Sequence, residues 1–480
     1  MQYILVGFAF YFVMVSLITI FYYFYTRTAT SGNYSNMLLG NRSVSYILTA
    51  FSAHASDMSD WLFMAFPAAL YSLGMVSAWI AIGLILGMLA SWQFVAPQLR
   101  KATEKLDAIT LSSYFEKRFK DDSGIIRLIS ALMSVLFFAV YIAAGLKGLG
   151  FLCEAVFGIP YIFGIILGLS CAILFITFGG YKALAWVDLF QALFLLLIII
   201  IVPFYAYLHV GGWSNIVSAA HDKNIPLNFF PSTNLGLLNT IFLSISWGVG
   251  YFGTPHILTK FMGISDVKEI NKAKYVGMVW QVCVLTLAGL TGLIGIAYFP
   301  HILANKELIF VEIVKDLFSS LAAGFILSAV AGATLSVITA QILVLISVLI
   351  EDLYKYILRP RATEKELIFV YRLFVFIIAI MSFYVSLEKS TTIQQLVQYA
   401  WMGFACTFSP LVLLSLHGNY INKYGAIACV SVGALVAMVW QIYFKNIFLT
   451  SFGLDIPSVI AAFILSIAFA YFVSYLTRTR

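Results

Sequence analysis

The chain has 480 residues, of which 62% are hydrophobic and 10% charged, with 28 Lys and Arg against 21 Asp and Glu for a net charge of +7. A water-soluble chain carries about 25% charge, so this composition excludes a soluble globular protein and requires burial in lipid. The excess positive charge lies in short segments between apolar runs, which argues against a nucleic-acid surface. The five cysteines (Cys153, Cys171, Cys283, Cys406, Cys429) fall in apolar runs with no CxxC spacing, and they read as buried thiols rather than a disulfide or metal framework.

The hydropathy pattern predicts an all-α membrane protein of about 13 transmembrane helices. They fall near 3–26, 46–74, 76–97, 125–156, 159–180, 184–208, 236–262, 274–300, 312–351, 367–387, 393–417, 424–444 and 456–477. The first run begins at Tyr3 without a basic leader or a small-residue cleavage site, so it reads as a retained helix rather than a signal peptide. The longest connections, near 98–124 and 209–235, are too short for a separate soluble domain. Basic residues concentrate in alternate loops: Arg100, Lys101, Lys105, Lys117, Arg118 and Lys120, then Lys260, Lys268, Lys272 and Lys274, then Lys355, Arg359, Arg361 and Lys365. The positive-inside rule then places the N-terminus outside and the C-terminus in the cytoplasm of a multi-pass cell (inner) membrane protein.

Two apolar runs are interrupted by polar residues. The second contains His54-Ala55-Ser56-Asp57-Met58-Ser59-Asp60-Trp61. Carboxylates at that depth cost roughly 2.5 to 3.5 kcal/mol each on insertion scales, so they face a cavity or a bound group. The seventh contains Ser244-Ile245-Ser246-Trp247-Gly248-Val249-Gly250-Tyr251-Phe252-Gly253-Thr254-Pro255-His256, in which glycines and a proline break the helix. These spans lie five apart and enter the membrane from opposite sides. Broken helices at matching places of two inverted halves point to a transport site at the membrane midplane. A pair of ordinary packed kinks is the alternative.

Residues on and beyond the two breaks resemble the sodium:solute symporter family. The matching stretches are Ser56-Asp57-Met58-Ser59 with Trp61, Trp186-Val187-Asp188 after a Gly179-Gly180 turn, Trp247-Gly248 with Gly250-Tyr251-Phe252-Gly253, and Pro255-His256-Ile257-Leu258. Further on come Glu351-Asp352-Leu353-Tyr354-Lys355 and Tyr399-Ala400-Trp401 with Gly403-Phe404. The resemblance implies a LeuT-type core of five plus five inverted helices with flanking helices. Residues 1–45 would form the first helix and loop, 46–210 the first repeat, 211–420 the second repeat, and 421–480 two final helices with a short tail. It also implies inward transport of a small amino acid, L-proline foremost, with sodium as the coupling ion; the substrate and the lipid bilayer are the expected partners. The sequence leaves the oligomeric state open.

The resemblance further implies a sodium site at the carbonyls of Ala55 and Met58 with oxygens near Ala333, Ser336 and Val337, beside Asp57. The family places a hydroxyl at the position of Val337, which has none. Asp57 either stabilises the cation or hydrogen-bonds the helix break, and Ser59 either contacts a ligand or packs. Asp60 stands where a near relative has glycine; it repairs charge at the altered ion site, carries a proton, or faces a wet vestibule. Asp188 and Thr339, with Ser336, resemble an auxiliary cation site, though Asp188 also suits a helix cap. Glu307 is either a gate or a solvated loop charge. Trp61, Tyr141, Trp247 and Tyr251 are candidates to enclose a compact ring and its ammonium, with Pro255 keeping the seventh helix open and Thr254 replacing a glutamine of that relative. His54 and His256 read as polar fillers. Other readings are a proton-coupled or other-solute carrier of the same fold and a transporter-like sensor. A membrane enzyme lacks support, since the chain has no nucleotide loop, His/Cys metal spacing or HExxH helix.

Overall fold

The computed structural model describes residues 2–27 and 39–478; of 18–27, 177–180, 182 and 183 it describes the backbone alone. Among the described residues, ten helices are long and apolar enough to cross a bilayer. Three shorter apolar helices, Gln2–Leu17, Trp61–Leu73 and Tyr161–Ile176, stand where the first, second and fifth spans are expected. Span 1 continues as helix to Arg27. Span 2 is Tyr46–Ala55, an irregular stretch at 56–60, then Trp61–Leu73. Span 3 is Met75–Lys105, span 4 Ile125–Phe157, span 5 Tyr161–Ile176 and span 6 Leu184–His209. Span 7 is Asn234–Val249, a short 3-10 turn at Gly250–Phe252, and Pro255–Gly263. Span 8 is Val267–Tyr298, span 9 Ser320–Leu358, span 10 Glu364–Ser386, span 11 Ile393–His417, span 12 Lys423–Phe452 and span 13 Ser458–Leu476.

Spans 3, 9 and 12 run on to Lys105, Leu358 and Phe452, past the expected ends at 97, 351 and 444, and two junctions also differ in detail. The run expected from 312 divides into a separate helix, Ile309–Leu317, and the span proper from Ser320, because Ser319 takes an extended conformation between them. At the expected Gly179-Gly180 turn the backbone is assigned helix without interruption, from Tyr161 to His209. The chain nonetheless reverses there. Tyr161 donates to Ser386 O at one face and His209 lies 5.3 Å, ring to ring, from Tyr298 at that same face, whereas Tyr181 donates to Thr259 O toward the other.

Local chemistry explains several element ends. Thr363 and Thr392 open spans 10 and 11 with capping boxes completed by Glu366 and Gln395. Span 4 closes on Gly158 in the left-handed region (φ 64°). The π-turns Trp61–Ala65 and Ser91–Val95 immediately precede Pro67 and Pro97. Proline cannot donate to the preceding turn, and one widened turn accommodates the loss.

Span 9 lies at the centre, with 94% of its most apolar window buried, while spans 12 and 13 lie at the margin with 28% each. Spans 3 and 7 meet backbone to backbone. A Cβ on Gly83 would stand 2.0 Å from Ser244 O, and one on Gly87 2.1 Å from Gly248 O. Gly83 and Gly87 sit one turn apart, the small-xxx-small spacing that lets membrane helices approach closely.

The face that carries Arg100, Lys105 and Lys117 is held by side chains reaching across elements. Arg127 pairs with Asp352 and Glu116, each at 2.8 Å, and Thr110 donates to the same Asp352 oxygen. This joins span 4, the end of span 9 and the helix Leu111–Phe119, and it accounts for the acidic motif at 351–352. Arg42 donates to the carbonyls of Met262 (2.9 Å), Thr103 (3.1 Å) and Ala108 (2.7 Å). Val44 pairs with the strand-like segment at Ile264.

Replacing Gly87 by Val places a branched side chain against Gly248 O, which cannot move away without unseating span 7. The expected result is a lower thermal midpoint of the detergent-purified protein or loss of the folded fraction, by about 1–3 kcal/mol or more for overpacking. Size-exclusion profiles and thermal unfolding check it.

Candidate functional site

The two broken spans meet at their irregular stretches. In span 2 the helix ends at Ala55, and His54 O accepts from the backbone N–H groups of Asp57 (3.3 Å) and Met58 (3.2 Å). In span 7, Thr254 is extended and Pro255 starts the second half-helix, as its fixed φ favours. Tyr251 OH from span 7 donates to the Asp57 carboxylate, and the same hydroxyl accepts from Gln281 Nε2 at 3.1 Å. Asp57 is thus tied to the other break rather than exposed to lipid, and is 7% exposed overall.

The carbonyls freed at the seventh-span break find side-chain donors. Trp401 Nε1 donates to Trp247 O (2.9 Å), Ser409 Oγ to Val249 O (2.8 Å), Thr254 Oγ1 to Gly250 O (2.7 Å) and Ser91 Oγ to Tyr251 O (3.0 Å). Beside this junction lies a narrow space lined by Asp57, Met58, Trp61, Leu84, Tyr141, Trp247, Val397 and Trp401. Trp61 and Trp247 stand 5.3 Å apart at their ring centroids, and Tyr251 meets Trp401 edge-on at 5.0 Å. Trp247 Nε1 is buried without a hydrogen-bond partner among the described residues.

The structure therefore gathers Trp61, Tyr141 and Trp247 around one space with Asp57, and sets Tyr251 directly behind them. Ser59 does not line that space; its Oγ accepts from Trp61 N at 3.3 Å. Pro255 lines a different narrow space toward the basic face, with Thr110, Ser112, Ser134, Thr259 and Ser347. His54 Nε2 accepts from Trp92 Nε1 at 3.2 Å, and His256 packs between Phe138 and Tyr141.

Ala55, Met58, Ala333, Ser336 and Val337 are all buried. Span 9 is brought against the second-span break at two points. Asp60 N donates to Thr334 Oγ1 at 3.1 Å. Ser52 Oγ and Ser336 Oγ both donate to Asp188 on span 6. Thr339 Oγ1 donates to Ser336 O at 2.8 Å. The positive charge beside Asp188 is Lys260, 3.1 Å away, which the sequence placed in a basic loop flank and which is 3% exposed. Among the described residues no group of three or more His, Cys, Asp and Glu is placed to hold a metal ion, so a cation here would depend on backbone and hydroxyl oxygens.

Asp60 is fully buried, and neither carboxylate oxygen reaches a hydrogen-bond partner among the described residues. It fits because Gly148 on span 4 has no side chain; a Cβ there would lie 1.7 Å from Asp60 Oδ2. Glu307 is not a solvated loop charge. It is 6% exposed and accepts from the N–H groups of Ile393 and Gln394, both at 3.1 Å, at the start of span 11. Burial pushes its carboxyl above the usual range, against the pull of those two N–H groups and of Lys147. Gln394 in turn accepts from Trp61 Nε1 at 2.7 Å, so the loop carrying Glu307 is two contacts from the aromatic cavity.

Sequence reasoning did not single out Trp401, Gln281, Gln394, Thr334 or Lys260 for the site. Trp401 and Lys260 carried a signal, an aromatic within a matching motif and a lysine beside a helix break. The amides and Thr334 look like any polar residue in a span.

A family model described as the sodium:solute symporter family matches residues 37–433. The chain is 38% identical over 468 residues to the high-affinity proline transporter PutP of Bacillus subtilis (strain 168), covering 96% of each. It is 36% identical over 434 residues to the osmoregulated proline transporter OpuE of the same organism, covering 89% of this chain and 86% of that one. It is 39% identical over 469 residues to a sodium/proline symporter of Staphylococcus aureus (strain bovine RF122 / ET3-1), covering 96% and 91%. Among solved structures, a Na+-coupled sialic acid symporter in a substrate-bound outward-open state superposes with a TM-score of 0.78 at 17% identity, covering 99% of this chain and 98% of that one. MhsT in complex with L-phenylalanine gives 0.52 at 13%, covering 90% and 99%. The fold is thus LeuT-type, as the paired breaks imply.

Asp60 and Gly148 share one space, so Gly148→Ala should destabilise the protein by about 1–3 kcal/mol. Adding Asp60→Gly should restore most of the loss. Thermal unfolding of the two single variants and the double checks the coupling.

Proposed function

The chain belongs to the sodium:solute symporter family, and from that membership we propose that it imports L-proline together with sodium by alternating access. The observation that carries the substrate reading is the cavity between the two breaks, walled by Trp61, Tyr141, Trp247 and Trp401 and floored by Asp57. Indole and phenol faces enclose a compact saturated ring and attract its ammonium. The unpartnered Nε1 of Trp247 supplies a donor for the carboxylate. Tyr251 acts through Asp57, Ser59 through the backbone of Trp61, and Pro255 holds the seventh span open toward the second cavity.

Sodium binds as co-substrate at the carbonyls of Ala55, Met58 and Ala333, the Ser336 hydroxyl and the backbone oxygen of Val337. Asp57 supplies the negative potential, Asp188, paired with Lys260, orients the Ser336 hydroxyl, and Thr339 fixes the span-9 backbone by donating to Ser336 O. A hard cation with oxygen ligands suits this set. Occupancy of both sites stabilises the closed junction more than either alone, which is what coupling requires. Asp60 sets how closely span 2 packs on span 4, and Glu307 holds the start of span 11 over the pocket. The basic face lies in the cytoplasm, with the N-terminus outside, in line with the positive-inside bias.

Purified protein in proteoliposomes should accumulate labelled L-proline when an inward sodium gradient is imposed and should fail to when choline replaces sodium; equal uptake in both would refute the reading. Trp61→Ala should raise the half-saturating proline concentration by about tenfold or more, the loss of one aromatic wall. Val337→Thr restores a hydroxyl at the ion site and should lower the half-saturating sodium concentration several-fold in the same uptake measurement.

A further inference from the structure

Away from the basic face, a cavity of about 170 Å³ opens between spans 7, 11 and 12 and the loop before span 13. One water needs roughly 10–15 Å³, so there is room for a small organic molecule. The position follows from the course of span 12. It starts where Lys423 lies 3.5 Å from Asp122 on the basic face and ends at the opposite one. Two opposite charges stand side by side on the cavity wall. Lys445 Nζ, near the end of span 12, lies 3.3 Å from Asp455 Oδ1 in the loop, and their side chains are 31% and 45% exposed. No hydrogen bond reaches Asp455 Oδ1 among the described residues. The loop itself is fixed in advance. Asn239 on span 7 donates to Gly453 O and accepts from Asp455 N, both at 3.0 Å, and Trp440 Nε1 donates to Ile456 O at 2.8 Å.

The rest of the lining is neutral: the amides of Gln398 and Gln441, the Thr240 hydroxyl, and an apolar side made by Leu243, Met402 and Pro457. A lone anion here would face Asp455 as well as Lys445, and a lone cation the reverse, so attraction and repulsion offset each other. A molecule with a carboxylate and an ammonium on neighbouring atoms satisfies both charges at once. The apolar side, with an adaptable methionine, suits a compact side chain or ring.

We propose that this cavity is a second binding site, for the zwitterion of a free α-amino acid, with the carboxylate on Lys445 and the ammonium on Asp455. It is separate from the space between the breaks and does not depend on which ion drives transport. The two share a wall. On span 11, Val397 and Trp401 face the inner space, and Gln398 and Met402, each one residue further on, face the outer cavity. On span 7, Leu243 of the outer cavity stands one turn before Trp247 of the inner space. An amino acid in the outer cavity touches spans 7, 11 and 12 together and favours conformations that keep them in this arrangement.

Equilibrium dialysis of labelled L-proline against the detergent-purified protein tests the proposal. In sodium, binding should saturate at about two molecules per chain, one per site. With choline in place of sodium the inner class should weaken and the outer class persist. Lys445→Gln and Asp455→Asn should each weaken the outer class about tenfold or more, the scale of one charge-assisted hydrogen bond. Both side chains are partly exposed, so the thermal midpoint and the inner class should stay unchanged. Gln441→Trp fills the cavity from span 12 without removing a charge and should abolish the outer class, whereas Trp61→Ala should weaken the inner class alone.

A second class untouched by all three outer variants overturns the proposal, as does saturation at about one molecule per chain that those variants leave intact. A single molecule that is lost with them, whether sodium is present or not, supports the outer site and refutes the functional reading instead. Absence of any binding overturns both. Phosphatidylethanolamine carries a comparable pair of charges on a lipid headgroup. Loss of the outer class in nanodiscs of that lipid, with retention in phosphatidylglycerol nanodiscs, would assign the cavity to lipid and overturn the free amino-acid assignment.

Discussion

Backbone that leaves the helical path inside a bilayer exposes N–H and C=O groups that lipid cannot satisfy, and this requirement organises the middle of the molecule. Two spans unwind, and at the seventh-span break four carbonyls are met by side chains: Trp401 and Ser409 from span 11, Ser91 from span 3 and Thr254 from the break itself. Since spans 3 and 11 must both be in register to supply these groups, the fold around the seventh-span break is arranged to satisfy it. Of these donors Trp401 also lines the space between the breaks, beside Trp61 and Trp247.

The legible part of the sequence was whatever breaks a pattern locally. Asp57 and Asp60 in an apolar run, and Gly248, Gly250, Gly253 and Pro255 in another, announced the two breaks without any tertiary information. The aromatics nearest those breaks, Trp61, Trp247 and Tyr251, could be found by proximity along the chain. Partners distant in sequence could not. Gln281, Thr334 and Gln394 are ordinary polar residues within spans, and only the packing of spans 8, 9 and 11 against the breaks gives them a role. Lys260 was misplaced for a related reason. Hydropathy ends span 7 near a basic residue and reads it as a loop flank, whereas the structure turns that residue inward onto Asp188. Gly179-Gly180 marked the reversal between spans 5 and 6, although the backbone stays helical through it.

Buried charge is handled in three ways. Asp188 and Asp352 are paired with Lys260 and Arg127 and further satisfied by hydroxyls, the condition under which a buried ion pair is tolerable. Glu307 is satisfied by backbone N–H groups at a helix start, where the helix dipole favours an anion. Asp60 has neither arrangement and is accommodated by shape, in the room left by Gly148.

Arg42 illustrates a different economy. Its three carbonyl partners come from the end of span 7 and from the turn at 103–108 that closes span 3, and none of them is an anion. Water can take over each of those bonds on either side, so the net free energy of exchange per bond is only about 0.5–1.5 kcal/mol. A fastening of this kind discriminates sharply between shut and ajar in geometry while separating no opposite charges when it lets go. The Arg42 contacts therefore depend little on salt concentration, in contrast to the Arg127 ion pairs that hold the same face.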